Sequence, residues 1–147
     1  ARHREQLAVL VVYIDGVKKI NDRHGHMVGQ RIIRDVGKRV GEIVGDRGVA
    51  CRLGGDEYGI ALRTFDAASG VQFAETIRAD IAGCEFSHEG EALAVSVSAG
   101  VAVFPGHGGT SLELLRRADD AMYVAKRDGG DSVRIFAPRG ADSGDSA

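Results

Sequence analysis

The run Leu7-Ala8-Val9-Leu10-Val11-Val12-Tyr13-Ile14 constrains the fold more than any other stretch of this chain. It is apolar throughout and rich in β-branched side chains, which reads as a strand. Neither alternate set of side chains is polar, so the strand is a central one, buried on both faces. Because strand side chains alternate, Tyr13 and Asp15 at its C-terminal edge point to one side and face whatever the strand end lines.

The rest of the pattern supplies the covers. Val17 to Arg23 reads as a short helix broken at Gly25. A longer helix follows from about Val28 to Val44, with Val28, Ile32, Val36, Val40 and Ile43 on one stripe and Arg34, Lys38, Arg39 and Glu42 on the other. Gly37 and Gly41 each weaken it by roughly 1 kcal/mol against alanine, so packing must hold it. Asp66 is placed to cap a helix running to about Ala82, with Val71, Ala74, Ile77 and Ile81 inward. Thr110-Ser111-Leu112-Glu113 has the capping-box spacing and opens a helix that turns Leu112, Leu115, Ala118, Met122 and Ala125 inward and stops at Asp128-Gly129-Gly130.

Further strands are expected from Cys84 to Ser87, from Ala92 to Phe104 and from Val133 to Phe136. The long one alternates cleanly, with Val95, Val97, Ala99, Val101 and Val103 on one face and Ser96, Ser98, Gly100 and Ala102 on the other. A face that small suggests a helix lying close against it. Pro138 to Ala147 has no periodicity and reads as a disordered tail, which leaves one domain over residues 1–137. Helices gathered between strands argue an α+β sandwich with a mostly antiparallel sheet.

Bulk properties exclude some partners. Lys and Arg number 19 against 21 acids and are scattered, for a net charge of -2, which argues against a nucleic-acid surface. Leu7 to Val12 is far short of the ~20 apolar residues a membrane span needs, so no membrane contact is expected. Two cysteines, Cys51 and Cys84, are too few for a disulfide framework; Cys51 reads as a buried free thiol and the chain as cytoplasmic.

Between Val49-Ala50-Cys51 and Ile60-Ala61-Leu62 stands Gly54-Gly55-Asp56-Glu57, which reads as a β-hairpin with the glycines at its turn and both acids at its tip. Such acids either solvate an exposed turn or, where glycines let a substrate approach the backbone, hold a divalent cation against its phosphates. Spacing alone leaves both open.

Gly54-Gly55-Asp56-Glu57-Tyr58 resembles the signature of the GGDEF family, which includes the diguanylate cyclases, with Tyr58 where phenylalanine is usual. Other landmarks stand in the family's order. Ile14-Asp15-Gly16-Val17-Lys18-Lys19-Ile20-Asn21-Asp22, His24-Gly25-His26 and Gly29 resemble its first segment. Val95 to Ala102 resembles its "VTxSIGVA" strand, and Arg117 to Lys126 its "RADxALYxAK" helix. The likeness spans about residues 8 to 136. It implies the palm of nucleotidyl cyclases and many polymerases, and a role in cyclic di-GMP signalling. The family's opening helix is missing ahead of Leu7, so the chain is expected to be a fragment that lacks an upstream sensory or regulatory domain and pairs as a homodimer when full length.

The resemblance also implies a site. Asp56 and Glu57 are its catalytic acids, Asn21, Gln30, Gly54, Gly55 and Lys126 its nucleotide-binding residues, and Mg²⁺ or Mn²⁺ its cofactor when a nucleotide is bound. Three positions depart from the family. The strand-end metal carboxylate is Tyr13, for which Asp15 is the candidate substitute, so that Asp56 and Asp15 are the expected metal ligands. The base-reading aspartate is Gln30, which offers one acceptor and one donor where aspartate offers two acceptors. The arginine partner of Lys126 is Gly130. The family's product-inhibition "RxxD" is absent from Gly45-Asp46-Arg47-Gly48. His24 and His26 read as surface-loop residues rather than metal ligands. Losing a ligand carboxylate costs several kcal/mol at the transition state, and about 1.4 kcal/mol is tenfold in rate. The expected function is therefore a module that binds GTP or a related purine nucleotide and has weak or lost cyclase activity. The alternatives are an active diguanylate cyclase and a scaffold used only for dimerisation or protein contacts.

Overall fold

The computed structural model describes residues 6–64 and 66–138; the expected tail from Pro138 to Ala147 lies outside them apart from Pro138. In chain order the elements are β1 (Gln6–Asp15), α1 (Val17–His24), α2 (His26–Val44), a single 3₁₀ turn (Gly45–Arg47), β2 (Gly48–Gly54), β3 (Glu57–Thr64) and α3 (Ala67–Ala82). Then come β4 (Phe86–His88), β5 (Glu91–Leu93), β6 (Ser96–Phe104), α4 (Ser111–Arg127) and β7 (Ser132–Ile135). The main sheet runs β2-β3-β1-β6-β7. Its first four strands are antiparallel and β7 joins β6 in parallel.

β1 is the middle strand, and both its faces are covered. Ala8, Leu10, Val12 and Ile14 belong to the larger core, with Ile32, Val36 and Val40 of α2 and Phe73, Ala74, Ile77 and Ile81 of α3. Val9 and Val11 belong to a second core with Ala102, Leu114, Ala118 and Met122, beneath α4. The small face of β6 lets α4 approach closely: a Cβ at Gly100 would overlap the Ala118 carbonyl and the Met122 amide and stand 2.9 Å from the Ala121 carbonyl carbon. Both expected caps form. Asp66 Oδ1 accepts from the Ser69 amide at 2.8 Å, and Thr110 Oγ1 from the Glu113 amide at 3.1 Å. Among the described residues no helix is long and apolar enough to cross a membrane.

Four local expectations are corrected. The long strand from Ala92 is two, because Glu89 and Gly90 adopt positive φ and fold β5 back onto β4 as a separate hairpin. Leu112 is 58 % exposed and Leu114 takes the inward place, since Leu114, four residues before Ala118, falls on the buried stripe of Ala118, Ala121, Met122 and Ala125 and Leu112 does not. Cys51 is exposed, because β2 is an edge strand and α4 does not reach over it. His24 is largely buried, its ring edge-on to His88 at 5.3 Å between centroids and its Nε2 3.8 Å from Glu91 Oε2.

Candidate functional site

The hairpin is pinned at the C-terminal end of β1. Its turn falls on Gly55 and Asp56, one place later than the two glycines, because Gly54 still pairs with Glu57 after an irregularity beyond Arg52. Arg52 closes the loop with its guanidinium, donating to the carbonyls of Gly54 at 3.0 Å and Gly55 at 2.6 Å. The Ile14 amide donates to the Asp56 carbonyl at 3.0 Å, and Tyr13 lies directly across from Glu57. Behind the hairpin, Tyr58 is buried and its hydroxyl donates to the Ile33 carbonyl of α2 at 2.8 Å. Gly37 leaves room for that ring.

On the face of Tyr13 and Glu57 stand two residues of α4. Lys126 Nζ lies 4.1 Å from the centroid of the Tyr13 ring, a distance at which a cation is attracted to the π face. Asp119, two helical turns earlier, acts on Glu57: burial first, then Asp119 and Asp56, push the Glu57 carboxyl above its usual range, against a pull from Lys126. Partial burial and Asp120 push Asp119 up as well. Asp119 was not among the expected site residues, although its spacing of seven from Lys126 puts both on one side of a helix.

Asp15 points the same way as Tyr13, but its carboxylate is committed. Oδ2 accepts from Ser96 Oγ at 2.7 Å and from the Asp131 amide at 3.0 Å, and Oδ1 accepts from Ser98 Oγ at 2.9 Å. The group ties the end of β1 to the start of β6 and to the turn before β7. Gly130 sits over this knot at φ +77, where a Cβ would be 3.1 Å from Asp15 Oδ2.

Asn21 packs its side chain onto the backbone of Gly29, beside Gln30. Its Oδ1 is buried there without a hydrogen-bond partner. From Tyr13, on the β6 side of β1, a cleft of ≈ 740 Å³ runs along α1, with Gly16, Lys18, Lys19 and Ser96 among its walls. The α1 N-terminus in this cleft has no side-chain cap and no acid in its first turn, so its amides carry partial positive charge there.

A divalent cation at the strand end fits these residues poorly. Tyr13 is a neutral phenol, where Mg²⁺ prefers hard anionic oxygen, and its face carries an ammonium. Asp15 is turned by its three hydrogen bonds toward β6 and Asp131, on the side of β1 away from the hairpin acids. Asp56 and Glu57 remain; among the described residues no group of three His, Cys, Asp or Glu side chains is gathered to hold a metal ion.

A family model described as diguanylate cyclase, GGDEF domain, matches residues 1–132. The diguanylate cyclase TpbB of Pseudomonas aeruginosa is 35% identical over 136 residues, which are 92% of this chain and 31% of that protein. The response regulator PleD of Caulobacter vibrioides is 35% identical over 131 residues, 88% of this chain and 29% of that protein. The chain thus spans about a third of the length of these curated relatives. Among solved structures, the GGDEF domain of TpbB from Pseudomonas aeruginosa has a TM-score of 0.87 at 34% identity, covering 93% of this chain and 86% of that one. The GGDEF domain of DgcB from Caulobacter crescentus, solved in complex with c-di-GMP, has a TM-score of 0.82 at 29% identity, covering 90% and 78%.

Proposed function

Since this chain belongs to the GGDEF domain family, we propose that it is a nucleotide-binding regulatory module of cyclic di-GMP signalling, with little or no cyclase activity of its own. It takes GTP or a related purine nucleotide, works behind an upstream sensory or regulatory domain and pairs as a homodimer in the full-length protein. The observation that carries this reading is the strand end, where Tyr13 bears Lys126 on its face while Asp15, two places on in β1, is held by Ser96, Ser98 and the Asp131 amide.

Cyclases of the family depend on Mg²⁺, and a metal that bridges attacking and leaving oxygens wants carboxylates on both sides. This chain offers them on the hairpin side, at Asp56 and Glu57. Binding asks for less than chemistry does. Asn21 offers the base an amide and Gln30 one donor with one acceptor. Gly54 and Gly55 leave the hairpin open to a close approach, since a Cβ on either would meet nothing within 4 Å. Lys126 supplies a cation.

A second reading, an active diguanylate cyclase, draws support from the hairpin itself, which keeps Gly54, Gly55, Asp56 and Glu57 in place against β1. One comparison separates the two: concentrated wild type and Tyr13→Asp, each incubated with GTP and Mg²⁺ or Mn²⁺, with products separated by chromatography. Cyclic di-GMP from Tyr13→Asp alone supports the regulatory reading and identifies the missing carboxylate. Cyclic di-GMP from wild type refutes that reading in favour of the active enzyme.

A further inference from the structure

We infer that this site holds the phosphates of its nucleotide with protein cations, Lys126 on Tyr13 standing where a divalent ion would, so that nucleotide binding does not require Mg²⁺. The inference rests on the nucleotide-binding reading above and concerns how that site neutralises charge.

Three observations carry it. Lys126 Nζ is held 4.1 Å from the Tyr13 ring centroid, so a fixed positive charge already stands at the strand end and opposes a second one. Tyr13 is thereby a positioning residue, acting through Lys126. The second observation is that Asp15 is held by Ser96, Ser98 and the Asp131 amide on the β6 side of β1, which turns the nearest substitute ligand away from the hairpin acids. The third is the layout about Tyr13. Its β3 neighbour is Glu57, whereas its β6 neighbour is Ser98, and the cleft opens on the β6 side. A polyphosphate in that cleft meets exposed Lys18 and Lys19 and the uncapped amides of α1. Of the acids in its walls, Asp15 is bonded to Ser96, Ser98 and Asp131 and Glu91 is paired with Arg23, while Lys126 reaches the cleft only through Tyr13 and the hairpin acids lie on the far side of β1. Three ammonium groups and a helix end supply the positive charge that a bound metal supplies elsewhere.

The test is calorimetric titration of GTP into wild type, Lys126→Met and Tyr13→Asp, each in excess EDTA and in millimolar MgCl₂. Lys126 is exposed, so its substitution leaves the core intact. Wild-type affinity is expected to agree within about threefold between the two buffers, while Lys126→Met weakens it about tenfold or more in both. Tyr13→Asp is expected to bind more weakly in EDTA and to regain affinity with MgCl₂. Wild-type heat only in MgCl₂ overturns the inference and leaves the nucleotide-binding reading standing; no heat in either buffer overturns both. Lys126→Met binding as wild type does also overturns it. Electron paramagnetic resonance of Mn²⁺ gives a second readout without nucleotide: wild type should leave the free-ion signal undiminished and Tyr13→Asp should reduce it. Uptake of Mn²⁺ by wild type counts against the inference.

Discussion

Gly37 and Tyr58 form a matched pair, and replacing each alone and both together measures how far the hairpin depends on the helix behind it. The Tyr58 hydroxyl bonds the Ile33 carbonyl at 2.8 Å within the core. Tyr58→Phe removes that bond but leaves the carbonyl its helical amide four residues on, so the loss is about 1 kcal/mol. Gly37→Ala gains about 1 kcal/mol in helix propensity. Against that gain, the new methyl overlaps the Tyr58 hydroxyl and stands 2.5 Å from Cζ and 2.9 Å from Cε1. Relief requires a buried ring or the whole of α2 to shift, and overpacking at its worst costs about 3 kcal/mol. The expected net loss for Gly37→Ala is therefore about 2 kcal/mol. Once the hydroxyl is gone the worst overlap goes with it, so in the Tyr58→Phe background the same substitution should cost about 1 kcal/mol less. Urea unfolding of the four proteins, followed by far-ultraviolet circular dichroism, measures the cycle. A neutral or stabilising Gly37→Ala, or additive effects, would refute the claim that this tyrosine is locked against α2.

Two further outcomes follow from contacts already described or close to them. Asp15→Asn keeps the shape of the knot but sets an amide N–H against one of three donors, from Ser96, Ser98 and Asp131, and is expected to cost about 2 kcal/mol in urea unfolding; an unchanged midpoint would show that the knot is slack. His107 Nδ1 accepts from the Val103 amide at 2.9 Å, and burial, helped by Arg117, holds the imidazole below its usual pKa of 6.5. The neutral ring is the native form, so its contribution is fully present above pH 6.5 and is lost as pH falls through the lowered value. The stability difference between wild type and His107→Ala should therefore shrink by about 1 kcal/mol on acidification, and a difference independent of pH would contradict this.

The parts of the fold legible in the sequence are those fixed by local rules. The unbroken apolar run of β1 requires two covers and has them. The small face of β6 announces the close helix that packs there, and Asp66 and Thr110 cap the helices they precede. What was not legible depends on distant partners. Whether Cys51 is covered depends on which strand ends up at the sheet edge, and His24 is buried by β4 and β5, whose own pairing hides in a Glu89-Gly90 turn. The candidate site divides the same way. Asp56 and Glu57 stand beside the end of β1 as the hairpin pattern implies. The engagement of Asp15 is set by an amide 116 residues later, and the seat of Lys126 on Tyr13 by the packing of α4, neither of which leaves a local signature.

Gly100 gives that packing a mechanical meaning. The missing side chain acts as a clearance between α4 and the sheet, with the helix backbone resting directly on β6. Lys126 and Asp119 are carried by the same helix, so their height above Tyr13 and Glu57 is gauged by an atom that is not there, on a strand neither of them belongs to. A force that tilts α4 by pressing on its exposed Leu112 end would be levered across this fulcrum to the ammonium at the other, moving the site's charge without touching the hairpin.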